Sequence, residues 1–178
     1  MLVFSAALAG CKSTYQVSHY KAPATQIRPE EGVFIIVPQD GPDEPGCGRL
    51  AAYLLEGMFL QYSKRIQLSE KTAPLDVQLT NAPAGFNYVL QSRINLWKEE
   101  ATEWSGLRDK LDMTLRLLRV PGGEVVSETH FEGQSKSGSW GGDRVEHLLK
   151  EIGGKWVGAL YGRAEFQQTS YKGDKPKK

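Results

Sequence analysis

Long hydrophobic runs are missing from this chain. No stretch of about 20 apolar residues occurs, so no segment reads as a membrane-spanning helix. A surplus of one charge is missing too. Lys and Arg total 22 against 21 Asp and Glu, a formal net charge of +1. That balance removes the basic footprint of a nucleic-acid binder, so no nucleic-acid partner is expected. Cysteine is scarce: Cys11 and Cys47 are the two in 178 residues. A bridge between them is allowed by count, but no disulfide framework surrounds it. Histidine is scarce as well, with His19, His130 and His147 far apart in the sequence. No internal repeat is present. What remains is ordinary globular composition, 40% hydrophobic and 24% charged, which excludes a disordered chain and suits one domain plus tails.

The informative stretch is the N-terminus, "MLVFSAALAGCKSTY". Residues 1–9 are apolar and small, like the hydrophobic region of a secretory signal. Leu8, Ala9, Gly10 and Cys11 then resemble a bacterial lipobox. That resemblance implies cleavage before Cys11, diacylglycerol on its thiol and acylation of the new amino terminus. Several acyl chains are needed because one chain alone anchors only marginally, at about 0.8 kcal/mol per buried CH₂. No Lys or Arg precedes Cys11, where a signal normally carries one. Either translation starts upstream or the segment is not a signal. Residue 12 is Lys rather than Asp, which by the same resemblance favours the outer membrane.

The expected organisation is a signal peptide over 1–10, a lipidated Cys11 with a tether over 11–31, a domain over 32–166 and a disordered basic tail over 167–178. The tether reading rests on Ser, Thr, Pro and charge without periodicity. Within the domain, residues 33–38, "VFIIVP", read as a strand buried on both faces. A helix is expected over 49–63 and a second strand over 65–69, which makes a βαβ unit. From 87 to 97, 108 to 118 and 124 to 133 the apolar residues alternate. Tyr88, Leu90, Ile94 and Leu96 are expected to face inward. So are Leu111, Met113, Leu115 and Leu117, then Val125, Thr129 and Phe131. Those three strands form an antiparallel meander with one wet face, and Pro121-Gly122-Gly123 supplies a hairpin turn. A last helix is expected from Asp143, a good N-cap, with Gly153-Gly154 either kinking it or allowing close packing. The fold class is therefore α+β: a single mixed sheet with helices packed on one face.

Candidate chemistry is sparse. Ser18-His19-Tyr20-Lys21 and Lys136-Ser137-Gly138 match two elements of penicillin-binding acyltransferases. The middle element is missing, and the chain is short for that fold. Asp40, Asp43 and Glu44 crowd one loop but lack the spacing of a calcium loop. Gly46-Cys47-Gly48 reads as a tight turn that packs Cys47 as a small hydrophobe. His130 stands on the wet face between Glu128 and Glu132, either for acid–base work or as a cross-strand polar row. Trp104 and Trp140 fall in loops, where large aromatics serve as partner-binding anchors or fold back over the sheet.

Residues 94–118 and 133–142, led by Ile94, Trp97 and "ATEWSG" at 101–106, resemble a group of uncharacterised Gram-negative lipoproteins defined only as a domain of unknown function. The resemblance carries no assigned active site. The element order also resembles domains of curli-secretion and penicillin-binding-protein-activator lipoproteins, which act by binding partners. The expectation is an outer-membrane, periplasmic-side, lipid-anchored binding or scaffold module with envelope-protein partners. No enzyme activity, cofactor or metal is expected. The alternatives are an envelope hydrolase or transferase, or a small-ligand carrier.

Overall fold

A computed structural model gives the fold and describes residues 14–70, 82–100, 107–135 and 144–169. Its elements are β1 (Thr14–Lys21), β2 (Gly32–Ile35), α1 (Cys47–Phe59), β3 (Ile66–Leu68), β4 (Phe86–Lys98), β5 (Lys110–Arg119), β6 (Val125–Gln134) and α2 (Val145–Leu160). The strands form one sheet in the order β1-β6-β5-β4-β2-β3. Both β3 and β4 run parallel to β2. The pairs β4–β5, β5–β6 and β6–β1 are antiparallel. This is the expected α+β class, with the βαβ unit leading into the meander.

The two helices pack on one face of the sheet. The core between the layers joins Val33, Ile35, Leu55, Phe59, Leu90, Trp97, Met113, Phe131, Leu149 and Trp156. Each large side chain buried in this way contributes about 1.5–3 kcal/mol. The Trp156 indole N–H has a partner in Ser127 Oγ at 3.2 Å. Gly153 lets the helices approach: a Cβ there would lie 3.3 Å from Met58 Sδ on α1. Gly153 therefore serves close packing, and α2 continues through the glycine pair without a break.

Every residue of β2 is buried. Val33 and Ile35 face the helices, while Phe34 and Ile36 join Val89 in a small cluster on the other face, backed by Phe86 and Val120. The continuous apolar run is thus explained by cover on both sides. The hairpin after β5 closes as expected, with Gly123 at φ 69° donating its N–H to the Arg119 carbonyl at 2.7 Å.

Several boundaries differ from the sequence reading. Residues 14–21, expected in the tether, form the edge strand β1 along β6. Alternation there is hidden because only Val17 is fully buried. Residues 167–169, expected in the disordered tail, run beside β1. There the Thr169 N–H reaches the Val17 carbonyl at 3.0 Å and Gln168 Nε2 reaches the Ser18 carbonyl at 2.7 Å. The strand β4 also departs from strict alternation. A bulge lies between Ile94 and Leu96, so Trp97 enters the core in place of Leu96. On β6 a second irregularity brings Val126 into the core in place of Val125. The helix α2 starts after Arg144, which makes no side-chain cap; Asp143 lies outside the described residues.

Candidate functional site

The open face of the meander carries a row of polar side chains that crosses four strands. Its centre is His130 on β6. The ring Nδ1 lies 2.6 Å from Ser18 Oγ on β1, and Nε2 lies 2.7 Å from Asp112 Oδ1 on β5. Asn95 on β4 donates from Nδ2 to the same Asp112 oxygen at 2.8 Å. Asp112 and Glu132 are register partners across β5 and β6, so both carboxylates project from this face. Glu132, Asp112 and His130 bring three ligand-type atoms within 4.8 Å of one another.

Two of these positions exist because the strands are irregular. Val17 pairs with Phe131 and His19 with His130, leaving Ser18 as the extra residue of a bulge. Asn95 is the extra residue of the bulge on β4. A bulge re-aims a side chain that strict alternation would send elsewhere. Here the two bulges flank Asp112 and His130 and turn a polar group toward each. A neighbouring row is plainly ionic. Arg116 Nε meets Glu128 Oε2 at 2.6 Å, and His19 Nε2 lies 3.8 Å from Glu128 Oε1.

The order serine, histidine, carboxylate is that of a nucleophilic hydrolase, in which the imidazole takes the hydroxyl proton. Ser18 Oγ lies 2.6 Å from Nδ1 and 3.3 Å from the His130 carbonyl oxygen, so the tautomer of the ring decides which of the two receives the hydroxyl proton. Two grooves of the described residues lie elsewhere. One is lined by Tyr53, Gly57, Lys150 and Gly154 between α1 and α2, the other by Ile27, Pro29, Tyr62 and Tyr161. Neither is lined by Ser18, His130 or Asp112.

The acidic loop has a structural task. Asp40 Oδ2 accepts the Gly46 N–H at 2.9 Å and Oδ1 accepts the Gly48 N–H at 2.8 Å. These bonds satisfy donors at the start of α1 and hold the Asp40 carboxyl below the usual carboxylate range. Gly46 sits at φ 88°, and a Cβ on Gly48 would lie 2.3 Å from the Pro38 carbonyl oxygen. Cys47 is buried and free, and its sulfur accepts the Gly41 N–H at 3.1 Å. Burial pushes its thiol up, so it is not poised as a nucleophile. The tight-turn reading of this segment therefore holds.

Other expected residues fall differently. Ser18 and Lys21 sit on one strand, but Ser18 engages His130 while Lys21 Nζ donates to the Val125 carbonyl. The acyltransferase pairing is not assembled. Leu8, Ala9, Gly10, Cys11, Trp104, Trp140 and Lys136-Ser137-Gly138 lie outside the described residues. Alternation placed Asp112 and His130 on the wet face. Nothing in the sequence marked Ser18 and Asn95 as their neighbours, because a bulge leaves no local signature here.

In class, the described residues form an α+β fold, with α1 and α2 on one face of a mixed sheet and a polar row on the other. No family model matches it and no curated protein matches it. The solved structures are more informative. The PelC dodecamer from Paraburkholderia phytofirmans superposes at TM-score 0.66 with 15% identity, covering 86% of this chain and 99% of that one. A variant of the same PelC gives 0.62 with 14% identity, covering 85% of this chain and 98% of that one. At these identities the likeness is one of fold. A Xanthomonas campestris protein of the family DUF330 reaches TM-score 0.49 with 12% identity over 80% of this chain and 96% of that one, too low to carry an argument.

Proposed function

We propose that this chain is a lipoprotein of the cell envelope, anchored through Cys11 to the periplasmic side of the outer membrane. Its domain serves there as a binding or scaffold module rather than as an enzyme. The observation that carries the reading is the position of β1. This strand begins at Thr14, three residues after Cys11. Three residues span at most about 10 Å. Lipid on Cys11 would therefore hold the β1 edge of the sheet close to the headgroups, where a 20-residue tether would have let it roam. A domain held in one orientation on a surface suits a scaffold that meets envelope partners repeatedly. The fold likeness to PelC, solved as a dodecamer, supports assembly with further copies of the chain. Trp104 and Trp140 are the side chains we assign to contacts with other envelope proteins.

The experiment is intact mass and membrane fractionation of the native protein beside Cys11→Ala. The expected mature chain starts at an acylated Cys11 and bands with outer membrane, and Cys11→Ala releases it. A native chain with an unmodified Cys11 in the soluble fraction would sink the proposal.

A further inference from the structure

We propose that Asp112, His130 and Glu132 form a binding site for a divalent transition-metal ion of the zinc class. The inference stands on the polar row and is independent of the lipid anchor.

The first argument is the set of donors. His130 Nε2 and Asp112 Oδ1 lie 2.7 Å apart with Glu132 beside them, so one imidazole nitrogen and two carboxylates converge on a single spot of the sheet face.

The second argument is charge. Asp112 and Glu132 face each other directly across β5 and β6. Like charges directly opposite on a sheet are destabilising. A single imidazolium proton neutralises one of the two carboxylates, whereas a divalent cation neutralises both.

The third argument is geometry. Zinc bonds to imidazole nitrogen and carboxylate oxygen are about 2.0–2.2 Å long, which sets tetrahedral ligand atoms about 3.3 Å apart. The three donors already lie within 4.8 Å. To share a metal ion at that spacing, His130 Nε2 and Asp112 Oδ1, now 2.7 Å apart, would open by about 0.6 Å and the exposed Glu132 side chain would turn toward them. His130 and Asp112 are each held from behind, by Ser18 and Asn95. Such outer contacts fix ligand orientation and tautomer in metal sites. One imidazole with two carboxylates suits zinc, copper or nickel better than calcium or magnesium, which prefer oxygen alone. Three protein ligands leave a coordination position open to water or to a group on a partner. His130 and Asp112 keep 30% and 28% of their side-chain surface exposed, so that position faces solution.

The test uses the full chain, stripped with chelator and titrated calorimetrically with zinc chloride, then with magnesium chloride. The expected result is saturable binding of one zinc ion per chain and no saturable magnesium binding. His130→Ala should abolish binding and Glu132→Gln should weaken it about tenfold or more. Ser18→Ala, acting through the imidazole, should weaken it about 10–100-fold. Glu132 is exposed, so Glu132→Gln keeps the test decisive if His130→Ala does not fold. No saturable zinc binding, or zinc binding unchanged by Glu132→Gln, overturns the site and leaves a proton between His130 and Asp112.

Discussion

Asp40 shows how one carboxylate fixes a local structure from outside the helix it serves. It lies before α1 in sequence yet accepts two N–H groups of the helix start, from Gly46 and Gly48. The residue at the cap position, Gly46, has no side chain to do this. Asp40→Asn keeps the shape but loses the charge, and its amide NH₂ opposes one of the two donors. The expected loss at pH 7 is about 1 kcal/mol, the usual worth of a cap. Because the carboxyl is depressed in the folded state by these N–H groups, the stabilisation is fully present above the ordinary Asp value of about 3.9. It is lost as pH falls through the lower folded value. Urea unfolding of both proteins at pH 7 and near pH 3 checks this. The gap between them should narrow in acid, and a gap of equal size at both values would refute the assignment.

At the scale of elements, the two adjacent glycines of α2 do different work. A Cβ on Gly153 would meet Leu149 Cδ1 at 3.2 Å and Met58 Sδ at 3.3 Å, whereas one on Gly154 meets nothing within 4 Å. Gly154→Ala should therefore gain the full helix-propensity difference, about 1 kcal/mol, while Gly153→Ala should gain less because α1 must give way. Denaturant midpoints of the two variants report the order directly, and equal gains would contradict the packing role of Gly153. The elements themselves were largely legible. Period-two patterning located β4, β5 and β6, and the apolar run "VFII" located β2, because burial of one face or both writes itself into residue choice. The start of β1 was not legible: an edge strand with one fully buried residue carries almost no pattern. The bulges at Ser18 and Asn95 were equally silent. They shift alternation by one residue, which moved Trp97 into the core and assembled the row around His130. Asp112 and His130 could be assigned to a common face from the sequence, but the groups that hold them could not.

For the whole molecule, the question is what the sheet does with the face opposite α1 and α2. Around β2 that face is covered by Phe34, Ile36 and Val89. Across β5, β6 and β1 it is polar, with Arg116, Glu128, His19, Asp112 and Glu132 in two rows. A polar face needs no apolar cover to be stable. Partners would then add function. The edges permit this selectively. The strand β3 is three residues long, too short to template open-ended pairing, and residues 168–169 bond to part of the outer edge of β1. Assembly by side chains fits such a surface better than assembly by sheet extension. The proposed scaffold therefore predicts discrete complexes. Light scattering on protein gently extracted from membranes should give a mass that is a whole multiple of the mature chain, the 19.8 kDa of the full sequence less residues 1–10, after allowance for lipid. Pull-downs from envelope extract should lose other envelope proteins when Trp104→Ala or Trp140→Ala is used, with the domain still folded by circular dichroism. A chain that is monomeric throughout, with capture unchanged by either substitution, would leave the anchor standing and remove the scaffold.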